Sequence, residues 1–143
     1  MFMSILDDMR LSVNLARDQH FVQHAKVVVA SLPVLHQFKI GITNDPDTRY
    51  YMAHYAYARE HVQQSHKTRF QGMIIMYVHQ SRDVAAMMEH SLIDHFKTTM
   101  PTRCLNAKQD FDNHIEYDSG DSEDYDSPGP VAVYVVHGER IYN

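Results

Sequence analysis

The pattern of apolar and polar positions along the chain predicts alternating helices and strands. Near the start, apolar residues recur at the spacing of an amphipathic helix: Ile5, Met9, Val13 and Ala16. The β-branched run at residues 26–32 then predicts a strand that Pro33 ends, and residues 38–43, FKIGIT, predict a second strand. Because the connection between them is short, we expect these two strands to pair as a hairpin.

The rest of the chain continues this alternation. It predicts four more elements, which are a helix at residues 45–64, a strand at 70–79, a helix at 81–99 and a strand at 131–136. Asp45 is a suitable N-cap for the first of these helices, with Pro46 in its first turn, and Ser81 is a suitable N-cap for the second. The whole order predicts an α/β fold with a small mixed three-stranded sheet flanked by helices, an N-terminal helix and an extra C-terminal strand.

Composition agrees with a single globular domain over residues 1–143. Apolar residues make up 44% and charged residues 22%, close to the average for soluble proteins, and no apolar run is long enough to span a bilayer. The one cysteine, Cys104, excludes an internal disulfide and a cysteine-rich zinc site. The start of the chain lacks the basic, then apolar pattern of a secretory signal, so we expect an intracellular protein, cytoplasmic or nuclear.

Charge is distributed unevenly. Residues 109–143 hold Arg140 as their one basic residue against nine acidic ones, and most of these acids fall within residues 109–130. This tract is polar and rich in Gly, Pro and Ser, so we expect a mobile, solvated loop. Its spacing does not match a calcium-binding loop. An alternative is that the loop covers a basic surface or binds a protein partner.

Glu89 is the clearest anomaly in the pattern. It falls in the middle of the apolar face of the helix at residues 81–99, where a carboxylate needs a cation, a metal ion or hydrogen-bond donors. Two interpretations remain open at this point: a structural ion pair with an arginine, and a metal ligand that projects from the helix.

Arg49 is the natural companion of Glu89. It follows the strand, the Asn44-Asp45-Pro46 turn and the start of a helix, so it is suited to clamp a carboxylate or a phosphate, although a first-turn arginine is often a surface residue. Asn106 is a weaker candidate, since asparagine in a loop commonly makes turn contacts. Several tyrosines crowd the helix at residues 45–64, and one or two of them are candidates to offer a hydroxyl to a site.

Taken in order, these residues resemble the GIY-YIG nuclease superfamily over roughly residues 26–108. That family has two strands bearing GIY and YIG, a helix with an arginine, a third strand, a helix with a glutamate, and a downstream asparagine. Here Lys39-Ile40-Gly41 matches YIG, and Arg49, Glu89 and Asn106 match the other positions. The closest likeness is to the small KIGxT branch of phages and DNA viruses.

The resemblance implies a function. It makes Glu89 the ligand of one Mg²⁺ or Mn²⁺ ion and Arg49 the clamp on the scissile phosphate of DNA. Both motif tyrosines are missing. The first strand reads VVVAS where GIY is expected, and Lys39 occupies the position of the tyrosine of YIG in the second strand. The general base therefore stays open among Lys39, His36 and His54.

Basic residues also follow the KIG strand, and we expect them to bind nucleic acid: Lys39, Arg49, Arg59, Lys67 and Arg69. The sequence thus predicts a divalent-metal-dependent endonuclease that hydrolyses phosphodiester bonds in DNA. The alternative is a catalytically degenerate domain of the same kind, which binds nucleic acid or a protein partner.

Overall fold

The computed structural model describes residues 20–107 and 129–141, together with the backbone of residues 11–13. Its elements in chain order are β1 (Leu11–Val13), α1 (Phe21–Ala30), β2 (His36–Thr43), a π-helical turn (Thr48–Met52), α2 (Glu60–His66), β3 (Thr68–His79), α3 (Arg82–Thr99) and β4 (Val131–Arg140). The acidic tract predicted at 109–130 lies almost wholly outside the described residues. No helix among those described is long and apolar enough to cross a membrane.

The sheet has the strand order β1-β3-β4-β2. β4 runs antiparallel to both β2 and β3, while β1 pairs with β3 in parallel. The coarse prediction of a small α/β fold is confirmed, and the C-terminal strand, predicted as an addition to a three-stranded sheet, lies between β3 and β2 in the described four-stranded sheet. The six residues 131–136 are all buried, as a strand covered on both faces requires, and their almost continuous apolar sequence is typical of such a strand.

Alternate residues of β4 point into two separate cores. The first core holds Val131, Val133 and Val135 and is covered by α1 and α3. The second core holds Ala132, Tyr134 and Val136 and is covered by the segment around the π-helical turn and α2. The alternation in β2 is the same, because Phe38, Ile40 and Ile42 lie in the first core and Lys39, Gly41 and Thr43 therefore face the other side.

The predicted strand at residues 26–32 is wrong, because this stretch belongs mainly to helix α1. Its valines are good strand formers, yet Ala25, Val28, Val29 and Leu32 recur at helical spacing and are buried together in the first core. Packing of that face overrides the β propensity of single residues. The predicted hairpin is wrong for the same reason, since the ladder partner of β2 is β4.

The N-terminal helix, predicted over residues 3–25, is wrong at Leu11–Val13, which form strand β1, whereas its last residues, 21–25, do lie in helix α1. Residues 3–10 and 14–19 of that prediction lie outside the described residues. The long helix predicted at 45–64 is broken as well. The chain leaves the π-helical turn at Ala53 in an extended conformation and folds back, so that the N–H groups of Tyr57 and Ala58 donate to the carbonyls of Arg49 and Tyr50.

Four predicted elements are confirmed. β2 covers the strand predicted at residues 38–43 and begins two residues earlier, and β4 covers the strand predicted at 131–136 and ends four residues later. β3 covers the strand predicted at residues 70–79 and begins two residues earlier. α3 covers the helix predicted at 81–99, and its N-cap Ser81 accepts a hydrogen bond from the N–H of Val84. The helix ends before Pro101, whose ring cannot continue it.

Candidate functional site

The turn after β2 fixes the position of Arg49. The carboxylate of Asp45 accepts hydrogen bonds from the backbone N–H of Thr48 at 3.2 Å and from its hydroxyl at 2.8 Å. This is the interaction of an N-cap residue, as the sequence predicts for Asp45. The π-helical turn that follows carries Arg49, whose backbone N–H donates to the Asp45 carbonyl. Arg49 is therefore held by a short, well-bonded segment and not by a free loop.

The side chain of Arg49 is buried, with 7% of its surface exposed. Its guanidinium carbon lies 5.1 Å from the centre of the Tyr55 ring, which is a cation–π distance. Removing a guanidinium from water is costly unless an anion or hydrogen-bond acceptors face it. Arg49 also lines an open cavity, and the planar guanidinium of an arginine in such a place is suited to bind a phosphate.

A cavity of about 270 Å³ opens beside Arg49. It is lined by residues from β2, the π-helical turn, the loop after it and α2: Lys39, Arg49, His54, Tyr55, Tyr57, His61, Val62, Ser65 and His66. Three of the predicted site residues, Lys39, Arg49 and His54, therefore meet in one place. Among the described residues, the lining contains two cationic side chains and no carboxylate, so this part of the cavity favours an anionic ligand.

His66 is a cavity residue that the sequence reasoning missed. Its Nδ1 lies 3.0 Å from the carbonyl oxygen of Val62, so Nδ1 carries the proton and donates it. Burial lowers the pKa of His66, the nearby charge of Lys39 lowers it further, and the bond to Val62 opposes both effects. The ring is thus neutral at pH 7, and its Nε2 keeps a lone pair.

Tyr134 is the second residue that the sequence reasoning missed. It lies directly opposite Gly41 in the β2–β4 ladder, and its ring occupies the space that a Cβ at Gly41 would need. Its hydroxyl is 3.0 Å from the hydroxyl of Tyr57, which lines the cavity. The sequence signal is the tyrosine in the middle of the apolar strand VAVYVV, and the position of that strand beside β2 cannot be read from the local sequence.

Glu89 is completely buried on α3, next to first-core residues such as Met88 and Leu92. The described residues hold no cluster of three or more metal-ligating side chains. Mg²⁺ commonly takes one or two carboxylates and completes its shell with water and substrate phosphate oxygens. A carboxylate such as that of Glu89 is the donor type that such an ion accepts, but Glu89 is not among the described residues that line the cavity beside Arg49.

Asn106 binds the outer edge of β2. Its Oδ1 accepts from the N–H of Ile40 at 2.8 Å and its Nδ2 donates to the Ile40 carbonyl at 3.0 Å. The preceding residues extend this edge, because the N–H of Leu105 donates to the Phe38 carbonyl and the N–H of Phe38 donates to the Arg103 carbonyl. Asn106 is thus adjacent in the fold to Lys39, and its amide substitutes for a neighbouring strand.

The other predicted nucleic-acid contacts lie outside the cavity lining. Arg59, Lys67 and Arg69 are all exposed. Arg59 donates to the Met52 carbonyl at 3.0 Å, Lys67 ends α2 with a left-handed backbone, and Arg69 lies opposite Glu139 on β4. None of these three residues lines the cavity.

His36, one of the three candidate bases, lies away from the cavity. Its Nδ1 is 2.8 Å from Nδ1 of His137, and the two rings stack with centres 5.1 Å apart. Burial lowers the pKa of His137 to about 4, and the charge of His36 adds to that effect. The pair joins β2 to β4 on the side opposite Lys39, so it serves the sheet and not the cavity.

These features were compared with known proteins. No model of a protein family, no curated protein and no solved structure matches the chain.

Proposed function

We propose that this chain is a divalent-metal-dependent endonuclease with a rearranged GIY-YIG-like site. The observation that carries the proposal is the placement of β4 beside β2, with Tyr134 opposite Gly41. In the family that the sequence resembles, the two motif strands are neighbours and the first contributes a tyrosine. Residues 26–32 cannot supply that strand because they lie mainly in α1. We assign its role to β4, which comes last in the chain.

This assignment changes which residues stand for the two motif tyrosines. Tyr134 takes the place of the first, and its hydroxyl reaches the cavity through the hydroxyl of Tyr57. Lys39 remains in the place of the second. The site therefore keeps one motif tyrosine in space, although the order of the strands along the chain differs from the family pattern.

Phosphate binding falls to Arg49 and Lys39. Both line the cavity, and Arg49 is buried against Tyr55, so its planar guanidinium has a fixed orientation. A fixed guanidinium binds two phosphate oxygens at once and stabilises the charge that develops as the phosphodiester is attacked. Lys39 adds a second positive charge on the same side of the sheet.

For the proton acceptor we propose His66 in place of the three bases that the sequence offered. His66 is in the cavity, its Nδ1 proton is committed to the Val62 carbonyl, and its lowered pKa leaves Nε2 unprotonated near neutral pH. A general base needs this combination of lone pair and fixed ring. Ring contacts to Tyr57 and Phe70 hold the imidazole in place.

Glu89 would hold the Mg²⁺ or Mn²⁺ ion. When bound, such an ion neutralises negative charge on the phosphate and on the leaving oxygen. The protein's own contribution is a buried carboxylate on a rigid helix, which is the donor type that these ions prefer.

The experiment is plasmid nicking by the purified full chain with Mg²⁺, with Mn²⁺ and with a chelator. We expect metal-dependent nicking that Glu89→Gln and Arg49→Ala each reduce by at least a hundredfold. Asp94→Asn is the matched control, because Asp94 is an exposed carboxylate on the same helix. Equal background for wild type and Glu89→Gln with both metals would refute the nuclease.

A second candidate function is binding of nucleic acid without cleavage. It is favoured by the complete burial of Glu89 and by the lysine in place of the second tyrosine. The same samples decide between the two functions: a shift of the plasmid in a gel without any nicking supports the binding protein.

A further inference from the structure

The cavity has a second chemical feature besides its positive charge. Three ring side chains surround its mouth, which are His54, Tyr55 and His61, and we refer to them as the aromatic rim. All three are exposed, Tyr55 by 41%. Below the rim, Arg49 and Tyr57 are buried. The cavity thus has a charged, buried floor and an exposed edge made of flat rings.

The rings of the aromatic rim are arranged in a way that suits stacking. His54 and His61 stack on each other with centres 4.4 Å apart and an angle of 29° between their planes. The third ring, that of Tyr55, lies against the guanidinium of Arg49. Flat rings that are already paired and partly exposed lose little freedom when another flat group stacks on them.

The size of the cavity limits what can enter it. Its volume of about 270 Å³ is just below the range of typical small-molecule sites, roughly 300–1,000 Å³. That space accommodates one phosphate with part of a nucleotide, whereas a segment of double helix is far too wide. A nucleic acid that enters the cavity can therefore place only a single nucleotide unit in it.

We infer that the site takes nucleic acid in which the nucleotide beside the bound phosphate is unpaired, as in a single strand or a flap. This inference rests on the proposed function, whose substrate class it narrows. In a duplex the faces of each base are covered by its neighbours, so protein rings next to the phosphate meet only the sugar and backbone. An unpaired base exposes its face and stacks on rings of this kind.

The charge of the lining supports this occupant over a peptide. Lys39 and Arg49 are both cationic, the part of the lining that the structure describes holds no carboxylate, and a polynucleotide brings one phosphate with every base. An acidic peptide would satisfy the cations but would supply no flat groups at the spacing of the phosphates. Of these two ligands, only a strand of nucleic acid both places phosphates on the cations and stacks bases on the aromatic rim.

The test is a binding measurement without metal, so that cleavage does not interfere. Fluorescence anisotropy of the full chain compares a labelled single strand, the same sequence as a blunt duplex, and that duplex with a single-stranded flap. We expect the single strand and the flap to bind at least tenfold more tightly than the blunt duplex, given the usual contribution of one base stacked on an aromatic ring.

Variants identify the rings as the cause. His54→Ala combined with His61→Ala should weaken single-strand binding about tenfold and leave duplex binding unchanged, whereas His54→Phe with His61→Phe should restore it by keeping the flat rings. His20→Ala is the control for loss of an exposed histidine outside the cavity. All of these positions are exposed, and circular dichroism verifies that each variant is folded.

The outcomes separate this inference from the proposed function. Equal affinity for single strand and duplex, or single-strand binding that ignores the loss of both rings, would overturn the inference even if metal-dependent nicking is found. Selective single-strand binding without nicking would support the inference and count against the nuclease. Binding of none of the three nucleic acids would overturn both.

Discussion

Tyr134 lies across Gly41 on the second-core side of the sheet, so closely that a Cβ at position 41 would overlap the tyrosine ring. The two residues face each other in the β2–β4 ladder. Glycine is therefore required in this strand by the neighbouring ring and not by backbone freedom, since Gly41 has an ordinary strand conformation. The contact joins the KIG segment to the last strand of the chain.

The first prediction concerns this contact. Gly41→Ala should lower the free energy of unfolding by about 1–3 kcal/mol, because the added methyl group overfills a packed site and the ring is held at its far end by Tyr57. Urea unfolding followed by circular dichroism measures the change. In a Tyr134→Ala background the same substitution should cost much less. An equal cost in both backgrounds would contradict the proposed overlap.

The second prediction concerns the two tyrosine hydroxyls. Tyr57 and Tyr134 are 6% and 2% exposed, and their hydroxyl oxygens are 3.0 Å apart. Tyr57→Phe and Tyr134→Phe should each destabilise the protein, and the double variant should show a coupling of about 1 kcal/mol, as for a buried hydrogen bond. Urea unfolding of the four proteins gives this value. Strictly additive effects would mean that the hydroxyls do not interact.

The helix and strand predictions succeeded where local pattern and packing agree. The helix at α3 has a capping serine, a proline just beyond its end and a full apolar face, and these are local signals. The strand prediction is wrong at residues 26–32, where three valines favour a strand but burial of one helical face determines the structure. The strand that pairs with β2 could not be predicted either, because the ladder of His36–Thr43 with β4 joins residues about a hundred positions apart.

Part of the site was predictable for a similar reason. Arg49 and Lys39 belong to one continuous segment of strand, turn and helix, so their spacing alone brought them together. Tyr134 and His66 come from other elements, and only the assembled sheet brings Tyr134 opposite Gly41. His54 was named from its position near Arg49, while its stacking partner His61 had no signal of its own.

The third prediction is a loss of stability in mild acid caused by the His36–His137 pair. The pKa of His137 is about 4 in the folded protein against 6.5 in a free side chain, and burial lowers the pKa of His36 as well, with Glu139 opposing and Arg103 reinforcing that effect. Between about pH 4 and pH 6.5, His137 is protonated in the unfolded chain and neutral in the folded protein. The contribution of the neutral ring to the free energy of unfolding is therefore complete above about pH 6.5, and it is lost as the pH falls toward about 4.

Comparison of two variants isolates this effect from that of the carboxylates. Urea unfolding at several pH values between 4 and 7.5 should give a flatter profile for His137→Gln than for wild type. His20→Gln, which removes an exposed histidine, should keep the wild-type profile. A His137→Gln profile parallel to wild type would show that the pair does not titrate as described.

The last prediction concerns Asn106. Its side-chain amide makes two hydrogen bonds to the backbone of Ile40, at 2.8 and 3.0 Å, on the outer edge of β2. Asn106→Ala leaves a buried N–H and a buried carbonyl without these bonds, so the free energy of unfolding should fall by about 2–4 kcal/mol. Gln64→Ala removes an amide from an exposed helical position and should change stability by less than about 0.5 kcal/mol.

Asn106→Asp separates the two bonds, because a carboxylate keeps an acceptor for the Ile40 N–H but has no donor for the carbonyl. It should be at least as destabilised as Asn106→Ala near neutral pH, because a buried carboxylate then faces the Ile40 carbonyl, and it should approach wild type in acid, where a protonated acid donates again. The measurement is urea unfolding of both variants across the pH range. If Asn106→Ala kept full stability while metal-dependent nicking disappeared, the amide would belong to the chemistry and not to the strand edge.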